Sequence, residues 1–64
     1  MAKKGTLTDK QKRFIDEYLV DLNATQAAIR AGYSPKTARA VGSENLTKPD
    51  IVDEIKARFD GITQ

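Results

Sequence analysis

Lys36, Arg39, Ala40, Ser43 and Thr47 share one side of a helix when the chain is wound at 100° per residue. Two cations, two hydroxyls and a small apolar group make a surface with no acid in it. The chemistry open to such a set is recognition, not bond making. Arg can fork onto guanine, Lys and Ser or Thr can bond phosphates or base edges, and Ala can touch a thymine methyl. Ser34 and Thr37, just ahead of and within this stretch, and the more distant cations Arg30, Lys12 and Arg13, complete the candidate DNA-contacting set.

Catalysis has little to work with. The chain has no histidine and no cysteine, which removes the commonest general base, the thiol nucleophile and the thiolate metal ligands. Asp16 and Glu17, like Asp53 and Glu54, are adjacent residues whose side chains diverge by about 100° on a helix, so neither pair converges on a substrate. Tyr18 and Tyr33 fall at core spacings. Asp50, Asp53 and Glu54 have the spacing of a metal site, but acids in the first turn of a helix are favourable there in any case, and nothing else supplies ligands. No enzyme activity, metal or cofactor is expected.

The elements that must carry this face are four helices, giving an all-α fold: a compact four-helix domain built around a helix-turn-helix. The first helix opens at Thr8, with Gln11 three residues later in a capping-box pattern, and Phe14, Ile15, Tyr18, Leu19 and Leu22 form its apolar face. Its later acids, Asp16, Glu17 and Asp21, oppose the helix dipole without an evident reason. Asn23 caps the second helix, again with Gln26 three residues on, and Arg30 lies near its C-terminus. Gly32 ends that helix, Ser34 caps the third, and Pro35 takes its first position. Stop, cap and restart then fit into Gly32-Tyr33-Ser34, so the third helix crosses the second steeply, as in a helix-turn-helix. Ala27, Ala28 and Ala31 before the turn, and Tyr33, Ala38 and Val41 after it, suit close packing of two crossing helices.

On the third helix, Ala38, Val41, Gly42, Asn45 and Leu46 fall opposite the polar face. Gly42 costs about 1 kcal/mol relative to Ala inside a helix, and reads either as a close packing contact or as the helix end. Thr47 caps a fourth helix with Pro49 in its first turn; Ile51, Val52, Ile55 and Phe59 form the apolar stripe, and Gly61 ends it. The expected division is a basic arm at 1–6 carrying Lys3 and Lys4, a domain at 7–60, and the start of a linker at 61–64. With the large apolar residues assigned to internal stripes or to the turn, little remains for a dimer interface, and a monomer is expected.

The net charge of +2 is small, but its distribution is not even. Residues 1–14 carry five bases against one acid, residues 25–43 carry three bases and no acid, and the segments after each are acidic. Basic charge thus gathers where a nucleic-acid contact needs it. At 64 residues the chain is a single domain that buries only about 60% of its unfolded surface. No apolar run exceeds three residues, so no membrane-spanning segment is expected.

The run Asn23 to Ser34, N-A-T-Q-A-A-I-R-A-G-Y-S, resembles the N-terminal domain of the small terminase subunit of tailed bacteriophages, those of Bacillus phages in particular. The likeness covers about residues 7 to 55 and is more specific than a bare helix-turn-helix pattern. The resemblance implies double-stranded DNA as partner, recognition of the viral packaging site in the host bacterial cytoplasm, and hand-over of that DNA to a large subunit with ATPase and nuclease activity. It also implies ring self-assembly through a later oligomerisation region that the 64 residues do not include. Two other readings stay open: a helix-turn-helix transcriptional regulator or recombinase headpiece, and a helical protein-interaction adaptor that would show an exposed apolar patch in place of a basic face.

Overall fold

The computed structural model of the chain describes residues 7–63; the arm expected at 1–6 lies outside them. Four helices follow in order: α1 (Asp9–Asp21), α2 (Ala24–Arg30), α3 (Ala38–Asn45) and α4 (Pro49–Thr63), with no strand among the described residues. α2 packs on both α3 and α1, and α4 lies against α1. The core consists of Phe14 and Ile15 from α1, Ala27 and Ala28 from α2, Ala38 from α3, and Ile51 and Ile55 from α4. The Phe14 and Tyr18 rings stack with centroids 5.9 Å apart.

Local chemistry sets the helix starts. At α1, the Gln11 N–H donates to Thr8 Oγ1 at 3.1 Å and the Thr8 N–H donates to Gln11 Oε1 at 2.9 Å, a complete capping box. At α2, Asn23 Oδ1 accepts from the Gln26 N–H at 3.1 Å, while the Asn23 N–H donates to Asp21 Oδ1. Leu22, between these helices, adopts a left-handed conformation with φ 57°. That residue breaks the helical phase, so Leu22 does not join the apolar face expected for it and is 54% exposed. Val20 at 72% and Phe59 at 38% are also outside, which corrects the expectation that the stripes absorb all large apolar side chains.

The end of α2 is a Schellman motif. The Gly32 N–H donates to Ile29 O and the Tyr33 N–H to Ala28 O, both at 3.0 Å, with Gly32 at φ 106°. The restart comes later than the sequence suggests. Ser34 does not cap α3, and Pro35 is not its first residue. The Thr37 N–H and hydroxyl both donate to Ser34 O, and the Lys36 N–H donates to Ser34 Oγ, closing a turn over Ser34–Thr37. Ser-Pro serves equally as the first two residues of a β-turn, and here that use wins. α3 therefore begins at Ala38 after Thr37.

Two further boundaries are corrected. The Thr47 hydroxyl donates to Glu44 O at 2.7 Å, so Thr47 closes α3 and does not cap α4. α4 continues through Gly61 to Thr63. A Cβ at Gly61 would meet nothing within 4 Å, and one exposed Gly costs a helix about 1 kcal/mol, too little to stop it.

Gly42 proves to be the packing contact, inside α3. A Cβ there would lie 2.7 Å from Ala24 O and 2.9 Å from Ala24 C. Replacing Gly42 by Ala recovers about 1 kcal/mol of helix propensity, whereas overpacking against a backbone carbonyl costs about 1–3 kcal/mol. The steric effect is the larger, so Gly42→Ala lowers the melting temperature. Thermal denaturation followed by circular dichroism checks this, and an unchanged or raised midpoint contradicts it.

Candidate nucleic-acid interface

α3 presents its two sides as the spacing requires. Ala38, Gly42 and Asn45 are buried and Val41 and Leu46 half-buried, while Arg39, Ala40 and Ser43 are exposed, with Lys36 ahead of the helix and Thr47 after it exposed as well. Neither Lys36 nor Arg39 pairs with a carboxylate among the described residues. Ser34 and Thr37 are exposed in the turn that leads into α3, tied to each other by the bonds already described. The predicted residues from Ser34 to Ser43 are thus all exposed, in the turn and on the outward side of α3.

The remaining predicted cations sit in different surroundings. Arg30 Nε donates to Glu17 Oε1 at 2.7 Å, and Arg30 Nη2 donates to Glu17 O at 3.1 Å and Asp21 Oδ1 at 3.2 Å. Arg13 Nε donates to the other Glu17 oxygen at 3.2 Å. Arg30 therefore clamps α2 to the last two turns of α1. Lys12 lies on the other flank of α1, where it lines a shallow cleft with Leu7, Glu54 and Arg58. There Arg58 bonds both Asp16 and Glu54. The acids of α1 that lacked a reason in the sequence are the anchors for cations arriving from α2 and α4.

These pairs shift titration. Glu17 is held below the ordinary carboxylate range, first by the Arg30 hydrogen bond and then by Arg13. Arg30 is pushed up in turn, chiefly by Glu17, and Arg58 chiefly by Asp16. One cation near the interface was not singled out by the sequence. Lys10 Nζ lies 5.1 Å from the centroid of the Tyr33 ring, beside the turn between α2 and α3. Its signal was available in the spacing of Lys10, Arg13 and Glu17, which share one flank of α1.

A protein family described as terminase small subunit matches residues 7–64. The chain is 52% identical over 63 residues to the terminase small subunit of Bacillus phage SF6, covering 97% of this chain and 43% of that protein. It is 48% identical over 57 residues to that of Bacillus phage SPP1, covering 88% of this chain and 39% of the relative. With the terminase small subunit of Staphylococcus phage 80alpha it shares 42% identity over 59 residues, which is 91% of this chain and 40% of that protein. The chain spans less than half the length of these relatives.

Because the Glu17 pKa is lowered in the folded state, its contribution to stability is complete above the unfolded carboxylate pKa and is lost as pH falls through the folded value. Melting temperatures measured from about pH 7 down to about pH 3 should therefore fall at the acid end. Glu17→Gln should flatten part of that fall and lower the midpoint at neutral pH. Equal acid slopes for the two proteins would show that the clamp contributes nothing.

Proposed function

The chain belongs to the terminase small subunit family, and from that premise we propose that it is the DNA-binding unit that recognises viral packaging DNA. The observation that carries this reading is the outward side of α3: exposed Lys36 and Arg39 with no carboxylate partner among the described residues, in a segment 25–43 that contains no acid. Arg39, Ala40 and Ser43 are the residues proposed to reach base edges, with Lys36, Ser34 and Thr37 on the adjoining phosphates. Arg30 takes a supporting part, fixing α2 against α1 so that α3 is held at a defined angle.

The unit is proposed to be non-catalytic and to act in the cytoplasm of the bacterial host. Hand-over of DNA to a large subunit and assembly into a ring belong, in this reading, to the longer protein of which the chain matches a part. The chain by itself, taken as a monomer, has few phosphate contacts and should bind DNA only at about the 10⁻⁴–10⁻⁶ M level of non-specific complexes. Several copies on one assembly would raise avidity by about 10²–10⁴-fold without any new contact. The family match and the acid-free face favour this reading over a protein-interaction adaptor, whose mark would be an apolar patch at the same place.

Replacing Lys36 and Arg39 together by Glu should abolish most DNA binding in a gel-shift or anisotropy titration. Both side chains are exposed, so helical circular dichroism and melting temperature should stay nearly the same. DNA binding that survives the double substitution would mean that α3 is not the recognition helix.

A further inference from the structure

We propose that Lys10, and not Lys12, is the α1 lysine that grips a DNA phosphate, with its ammonium seated over Tyr33 at the turn between α2 and α3. The inference rests on the reading of α3 as the DNA-facing helix and adds a residue to its phosphate contacts.

α1 has two charged flanks. Lys10, Arg13 and Glu17 follow at three and four residues, and so do Asp9, Lys12 and Asp16. The first flank meets α2 and the turn, as the Glu17 bonds to Arg30 and the Lys10 contact with Tyr33 show. The second meets α4, where Arg58 joins Asp16 to Glu54 and Lys12 lines the same cleft. Lys12 therefore shares its cleft with the Arg58–Asp16–Glu54 cluster. Around Lys10 the nearby turn belongs to the acid-free stretch 25–43. Lys10 has no carboxylate partner among the described residues.

The ammonium is also placed in advance. Its stem passes close to the turn at Gly32, with Cε 3.8 Å from where a Cβ would stand on that residue. The ring engages the cation through its π face without neutralising its charge, so the N–H donors turned away from the ring stay open to phosphate oxygens. A long lysine side chain already held in one region loses less freedom when it closes on a ligand. Tyr33 leads directly into Ser34 and Lys36, so the gripped phosphate would adjoin those proposed for the turn and α3. α1 precedes the helix-turn-helix pair, and of its two flanks one is occupied by α4 while the other lies beside the turn between α2 and α3.

Phosphate contacts are independent of sequence, so the test needs no packaging site. The chain is titrated with a mixed-sequence DNA duplex at several salt concentrations, and the slope of log K against log salt is read. Lys10→Gln should weaken binding and make the slope shallower by roughly 0.9, the loss of one phosphate contact. Lys10→Arg should retain both, and Lys12→Gln should leave the slope where it was. An unchanged slope for Lys10→Gln, or an equal loss for Lys12→Gln, overturns the assignment. Lys36→Glu with Arg39→Glu runs beside them: if that protein still binds, the DNA-facing reading of α3 itself fails, a result distinct from a failure at Lys10.

Discussion

The closeness of α2 and α3 is the constraint from which the other features follow. α2 has seven residues and α3 eight, and helices under about 12–15 residues are marginal in water on their own. Each must be held by its neighbours. Gly42 sits against the Ala24 backbone, with Ala27, Ala28 and Ala38 buried in the same core. Such small residues bring the backbones together but bury little area apiece. The larger apolar contribution comes from Phe14, Ile15, Ile51 and Ile55 on the two longer helices. The short helices carry the proposed DNA-facing surface, and the long ones supply the mass behind it.

Charge is divided along the same line. Arg30 and Arg58 spend their donors on the acids of α1 and fasten α2 and α4 to it. Their pairs are partly exposed, and surface ion pairs contribute little to stability individually. Their value here is geometric: the guanidinium of Arg30 meets a carboxylate, a backbone carbonyl and a second carboxylate at once. Among the described residues Lys36, Arg39 and Lys10 have no carboxylate partner, and all three lie on or beside the turn and α3. Separating cations that fasten from cations that remain available is what turns a nearly neutral chain into one with a directed basic face.

Much of this was legible in the sequence. Thr8 with Gln11, Asn23 before α2, Gly32 at a positive φ and the two sides of α3 all follow from rules that act within a few residues. Signals with two local uses were read the wrong way. Ser34-Pro35 suits a helix start or a β-turn, and the Thr47 hydroxyl can bond forward to the next helix or back to Glu44. Leu22 was placed on a continuous apolar face because nothing in a leucine announces a left-handed conformation. The purpose of Asp16 and Glu17 was hidden for another reason: their partners Arg58 and Arg30 stand 42 and 13 residues away. Tertiary placement also separates cations that look alike in the sequence: Arg30 is bonded to Glu17 and Asp21, whereas Lys10 stands over the Tyr33 ring.

In the proposed complex the turn and the outward side of α3 meet the DNA, while the α4 side of α1 is turned away from it. Backbone amide chemical shifts of the chain, recorded as duplex DNA is added, test this arrangement most directly. The largest changes are expected at residues 34–43 and at Lys10, with Lys12, Asp16, Glu54 and Arg58 nearly still. Changes concentrated on α4 and the Lys12 flank, with α3 undisturbed, would contradict it.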